Sequence, residues 1–200
     1  MKNIIRTITL FLLMLSVVAT GTFERTDEIK IGNQVWMGHH ISSENIAGIC
    51  YDHNEKNCDL YGKLMSRSQA SYACPDGWRL PGLNDIKVLL SNLNGIPNKL
   101  GGKLVGNDVL VKLNIKLGGI HMRNEDHDVF TSKDQMEIWL TSSDTIWNNP
   151  NPNYAKYNGK KVIGLHVYRV KNDSFNIEPT YMNANEVRYA YCRCIKDKAN

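Results

Sequence analysis

Nine residues, Ala73-Cys74-Pro75-Asp76-Gly77-Trp78-Arg79-Leu80-Pro81, constrain this chain more than any others. Pro75 and Pro81 each fix φ and remove a backbone donor, Gly77 admits positive φ, and Pro81 drives Leu80 towards an extended conformation. No helix can run through such a stretch. The flanking apolar spacing is helical, with Leu64, Met65, Ser68, Gln69 and Tyr72 before it and Ile86, Leu89, Leu90 and Leu93 after it. The reading is helix, rigid elbow, helix. Trp78, too large to leave in water at a bend, is expected to plug the core, and Cys74 is placed to tie the elbow to a distant segment.

The amino terminus reads as an address. Lys2 and Arg6 precede an apolar run from Ile8 to Ala19, broken only by Thr9 and Ser16 and followed by Thr20 and Gly21. A bilayer span needs about 20 apolar residues, so this shorter run is expected to be a secretory signal over residues 1–21. No cysteine follows it, which argues against lipid anchoring, and no membrane span is expected in the mature chain. The expected location is secreted, periplasmic or cell-surface. Without Lys2 and Arg6 the formal charge of +4 falls to +2, which is no nucleic-acid signature. The remaining residues, 22–200, suffice for a single domain with a sizeable core.

Export decides how the five cysteines are read. Cys50, Cys58, Cys74, Cys192 and Cys194 all follow the leader, where an oxidising compartment favours disulfides and an odd count leaves one thiol. Cys-x-Cys at 192 to 194 alone is a weak zinc signature, so neither metal nor cofactor is expected. Cys50 and Cys58 enclose a polar loop that a local bridge would pin. Chain entropy gives that loop about 2.5 kcal/mol, against about 5 kcal/mol for one closed from Cys74 to the last strand. There Val187, Tyr189 and Tyr191 alternate with Arg188, Ala190, Cys192 and Cys194, which puts Cys192 and Cys194 on one strand face. Only one of them can pair with Cys74.

In chain order, Ile29 to Met37 reads as a hairpin turning at Gly32-Asn33, with the glycine at positive φ. His39 and His40, adjacent and so poor joint ligands, read as ordinary loop residues. Val111 to Leu117 alternates strictly and predicts a strand burying Val111, Leu113, Ile115 and Leu117. His121 to Asp128 lacks the order of a calcium loop and reads as a solvated loop. Trp139 to Ser143 is a short strand, Val162 to Val170 a central one, and Asn172-Asp173 a turn. Between them Trp147-Asn148-Asn149-Pro150-Asn151-Pro152-Asn153-Tyr154 reads as irregular. Aromatic faces at Trp147, Tyr154 and Tyr157 beside amide groups suit sugar stacking. Trp147, Asn148, Asn149 and Tyr154 are the candidate binding residues; the rival reading folds Trp147 into the core.

Several motifs occur in a fixed order: Ile31-Gly32-x-Gln34-Val35-Trp36-Met37, Cys50-Tyr51-Asp52, Asn57-Cys58-x-x-Tyr61-Gly62-Lys63-Leu64, the elbow itself, Gly118-Gly119, Trp139 with Ser142-Ser143, and Arg193-Cys194-Ile195-Lys196-Asp197. Together, from about Ile29 to Asp197, they resemble the Fibrobacter succinogenes major paralogous domain of exported bacterial proteins. The resemblance implies an exported bacterial domain related in fold to C-type lectin-like and sulfatase-modifying-factor domains, and it pairs Cys74 with Cys194, leaving Cys192 as the odd thiol. The chain departs from that pattern at Gly38-His39-His40-Ile41, where the family has Ala-Glu-Asn-Leu. It departs again at Arg67 and Ile86, which stand in place of tryptophans, and in the extra Cys192.

The expected fold is therefore α+β, a single disulfide-stapled domain with two helices on a loop-rich antiparallel sheet. No Ser-His-Asp set, paired-carboxylate motif, phosphate loop or His-Glu-x-x-His appears. Trp147-Asn148-Asn149 precedes Glu178-Pro179-Thr180, the reverse of the order a calcium-bridged sugar site would need. The expected function is a non-catalytic binding module for a glycan or a surface protein. The alternatives are a structural module of a surface assembly and a thiol-redox enzyme using Cys192 and Cys194.

Overall fold

The computed structural model describes residues 27–124, 127–148, 150–153, 158–183 and 187–197. The leader read over residues 1–21 lies outside them. Within them, no helix is long and apolar enough to cross a membrane.

Among the described residues, two sheets and four short helices make an α+β structure. β1 (Glu28–Ile31) and β2 (Gln34–Met37) form the expected hairpin, with Gly32 at φ 57°. β13 (Ile195–Lys196) joins β2 on one side and β4 (Trp78–Arg79) on the other, which closes a four-stranded antiparallel sheet from the two ends of the chain.

The larger sheet is built on three long strands. β9 (Met136–Trp147), β10 (Gly159–Lys171) and β11 (Ser174–Asn183) run antiparallel, with β10 central as its two-faced apolar pattern demands and with the turn at Asn172-Asp173. β6 (Lys103–Gly106) and β5 (Ile96–Pro97) extend it beyond β11. On the other side β12 (Val187–Tyr191) pairs with β9, then β7 (Ile120–Asn124) with β12 and β8 (His127–Thr131) with β7. β3 (Leu64–Met65) also pairs with β12. The β12–β9 contact, Tyr191 opposite Trp139, is parallel, an exception to the antiparallel sheet expected.

The elbow behaves largely as its chemistry requires. Gly77 takes φ 78°, and α3 (Leu83–Asn92) follows at once, burying Ile86, Leu89 and Leu90 at about 1.5–3 kcal/mol apiece. Arg79 donates to both carboxylate oxygens of Asp85 (2.7 and 2.9 Å), Gly82 N–H donates to Asp85 Oδ2 (2.7 Å), and Leu83 N–H donates to Ser143 Oγ (2.9 Å). The bend is thereby fixed to the start of α3 and to β9.

Other expectations are corrected. The stretch before the elbow is not one helix. Gly62, at φ 83°, ends α1 (Glu55–Tyr61), Leu64 and Met65 become a strand, and α2 (Arg67–Ala70) is a single turn capped by Ser66 and Gln69. Tyr72 is exposed. The loop between Cys50 and Cys58 carries a 3-10 turn (Tyr51–His53) and the start of α1, whose Asn54 side chain accepts from Lys56 N–H. Val111 to Leu117 is not a strand. α4 (Asn107–Lys112) buries Val109 and Leu110 and leaves Val111 70% exposed, and Asn114 and Leu117 at φ 48° and 52° cannot continue a strand. Leu113, Ile115 and Leu117 are nevertheless buried, as the pattern required. Of the stretch His121 to Asp128, the described residues 121–124 and 127–128 belong to the β7–β8 hairpin rather than to a free loop, and His121 is buried against Phe130 and Tyr189. Trp78 is only partly buried on β4. The core is plugged instead by Trp36 and Trp139, each 1% exposed, with ring centroids 6.2 Å apart.

Candidate functional site

Trp147 is the last residue of β9, not a residue of a free loop. The pairing of Thr145 with Lys161, and of Lys161 with Asn183, puts Trp147 and Tyr181 on one face of the β9–β10–β11 ladder. Their ring centroids are 5.9 Å apart, at 39% and 48% exposure respectively. Gly159 stands opposite Trp147 in the register, where a Cβ would meet nothing within 4 Å among the described residues, so none of them covers the strand beside the indole. Asn148 is exposed next in the chain, while Asn149, Tyr154 and Tyr157 lie outside the described residues. Tyr181, which composition did not single out, completes the aromatic surface.

At the other end of β9 lies a buried polar network. Glu137 shares a strand face with Trp139, whose indole N–H donates to Glu137 Oε1 (2.6 Å). His40 Nε2 is 3.1 Å from the same oxygen, and Gly118 N–H donates to Oε2 (3.2 Å). Tyr191 stacks on His40 at 4.7 Å and donates its hydroxyl to Gly118 O (2.8 Å). Arg193, fully buried, lies 4.3 Å over the Trp139 ring and donates to the carbonyls of Leu113 and Asn114. The backbone brings these groups together, since Met37 N–H donates to Cys194 O and Ile41 N–H to Cys192 O, so that residues 37–41 run beside 192–194. His40 is thus a core residue and not the ordinary loop residue expected. It and Arg193 line a small cavity of about 70 Å³ together with Asp59 and Lys116.

The charges in this network are set by burial and by each other. Burial, then the Arg193 cation, lower the His40 pKa well below the usual histidine range, so the ring is neutral at pH 7. Burial alone would raise the Glu137 carboxyl, but His40, Arg193 and the Trp139 indole outweigh it and hold Glu137 ionised. With Glu137 an acceptor only, His40 Nε2 must donate. Burial also lowers His166 to about 4.

Acid should therefore loosen the fold at a definite place. The unfolded histidines take up protons near pH 6.5 and the folded ones resist. Stability is then level above pH 6.5 and lost as pH falls from 6.5 towards 4; Glu137, ionised only when folded at low pH, adds to the loss below its ordinary value of about 4.5. Melting temperatures at half-unit steps should be flat from pH 8 to 7 and fall between 6.5 and 4. A constant value down to pH 5 would contradict the network.

Both disulfides are present, Cys50 to Cys58 and Cys74 to Cys194. Cys192 is free and buried, and its Sγ and those of Cys74 and Cys194 all lie within 4.8 Å of one another. The two cysteines do share one side, although β12 ends before them at Tyr191. Burial pushes the Cys192 thiol up to about 12, the opposite of what a nucleophilic thiolate needs. Comparison with protein-family models, with curated proteins and with solved structures gives no match for this chain.

Proposed function

We propose that the chain is an exported, non-catalytic binding module that takes a glycan on the face formed by Trp147, Tyr181 and Asn148. The observation that carries this reading is the half-exposed indole and phenol side by side at the end of a long ladder, beside a strand that no described residue covers at Gly159. Rings held by sheet pairing lose little freedom when a sugar stacks on them, and a neighbouring amide can reach its hydroxyls without a metal. A protein partner on the bacterial surface would use the same aromatic face. The ordered motifs shared with the Fibrobacter succinogenes major paralogous domain support an extracytoplasmic setting, and kinship with C-type lectin-like domains is part of this proposal. The buried, proton-retaining Cys192 favours binding over thiol catalysis.

Trp147→Ala should abolish retention on immobilised glycans, and Trp147→Phe should keep part of it. Because Trp147 is 39% exposed, Trp147→Ala should cost less than the roughly 3–5 kcal/mol of a core tryptophan. Unchanged retention defeats the binding role. A full core-sized loss of stability returns Trp147 to the scaffold and favours a structural module.

A further inference from the structure

A groove of about 480 Å³ lies between the four-stranded sheet and α3, within the roughly 300–1,000 Å³ typical of small-molecule sites. Neither Trp147 nor Tyr181 lines it. Its charged lining residues, Arg79, Asp85, Lys196 and Asp197, sum to zero, and each is in an ion pair. Arg79 forks onto Asp85 and also meets Asp197 (3.4 Å), and Lys196 is paired with Glu28 (2.6 Å). What remains for a guest is neutral. The amides of Asn33 and Asn84 are exposed and have no side-chain partner among the described residues. Val35 and Val88 supply aliphatic surface between them, Val88 being exposed on α3, above the buried Ile195.

The frame around these groups is rigid. Gln34 donates to Asp85 O (3.0 Å) and accepts from the Trp36 indole (3.2 Å), while the Asp85 carboxylate holds both Arg79 and the first turn of α3. The hairpin turn is seated close against the end of α3, because a Cβ at Gly32 would fall 2.4 Å from Asn92 Oδ1. A preformed groove loses little entropy on binding.

From this arrangement we infer a second ligand site, in the groove between β2, β4, β13 and α3, for a neutral saccharide unit whose hydroxyls meet Asn33 and Asn84 and whose C–H face lies on Val35 and Val88. Carboxamides both donate and accept, as sugar hydroxyls do, and a groove whose lining charges sum to zero favours an uncharged guest. The site is separate from the Trp147–Tyr181 face and stands whether or not that face binds.

The test is a titration of the full folded chain, followed through the side-chain amide resonances of Asn33 and Asn84, with methyl β-glucoside, methyl α-mannoside and methyl β-galactoside, and with sodium glucuronate as the charged control. At least one neutral glycoside should shift both amides saturably, and glucuronate should bind at least tenfold more weakly. Val88→Arg, at an exposed helix position, should fill the groove and weaken the shift at least tenfold with the melting temperature unchanged. Asn84→Ala, which leaves the groove open, should weaken it in part, and Trp147→Ala should leave it intact. No saturable shift with any neutral glycoside, equal or tighter binding of glucuronate, full binding by a folded Val88→Arg, or loss of the shift in Trp147→Ala would each overturn the inference.

Discussion

Cys74→Ala is expected to lower the unfolding free energy by about 5 kcal/mol, because it opens a loop of 120 residues that ties the elbow to the end of the chain. Cys194→Ala should cost far less. The Cys192 sulfur lies within 4.8 Å of that of Cys74 and in the same apolar cluster, so oxidative refolding of Cys194→Ala should yield a Cys74 to Cys192 bridge. Non-reducing peptide maps beside urea unfolding curves read both halves of this expectation. Equal losses in the two variants, or a Cys194→Ala protein with no bridge at Cys74, would contradict it. Loss of the Cys50 to Cys58 bridge, which closes 8 residues, should cost about half as much as Cys74→Ala.

Glu137→Ala should rank next, at about 3–5 kcal/mol, because removing one member of a buried ionic set leaves the others uncompensated. The Arg193 cation would lose its buried counter-charge, and the indole N–H of Trp139, the N–H of Gly118 and the His40 ring would lose their shared acceptor. Glu137→Gln keeps one acceptor oxygen and the volume, so it should cost less but still more than a surface substitution. Chemical denaturation of the two variants decides it: a loss under about 1 kcal/mol for Glu137→Ala, the range of exposed ion pairs, would mean that the network contributes little.

These two expectations differ in how far the sequence could carry them. The enclosed loop at Cys50 and Cys58 and a long bridge from Cys74 were legible in the cysteine positions, the choice of Cys194 over Cys192 only in the family resemblance, and the elbow itself because backbone chemistry acts locally. Pro75, Gly77 and Pro81 fix a bend whatever surrounds them, and Ile86, Leu89 and Leu90 repeat at a period that only a helix buries. The central place of β10 was legible for the same reason, in apolar residues on both faces. Val111 to Leu117 misled because short alternation also fits a helix end. Val109, Leu110 and Leu113 form a helical stripe across the same residues, and the positive φ at Asn114 turns the chain before a strand can begin. The choice among tryptophans was not local at all. Trp78 sits at the bend but on a small sheet, while Trp36 and Trp139 meet only once both sheets have formed.

The polar network was hidden for a related reason. His40 and Glu137 are 97 positions apart, and nothing in either neighbourhood names the other. Two signs were nonetheless present. Glu137 stands two residues before Trp139, just ahead of the strand read over Trp139 to Ser143, so that extending the strand puts it on the indole's face, and His39-His40 falls where the chain departs from the motif order it otherwise resembles. A polar residue forced into a core face must bring its partner with it. At the aromatic face, Trp147 was legible as a candidate, whereas Tyr181 was not, because only the β9–β10 and β10–β11 registers together bring it alongside.

The binding role is tested most directly by presenting the purified chain to a glycan array with calcium and again with a chelator. The account predicts retention on a restricted set of glycans at equal strength in both conditions, since aromatic stacking and amide contacts at Trp147, Tyr181 and Asn148 need no metal. Binding to no glycan, or binding that disappears with the chelator, would contradict it.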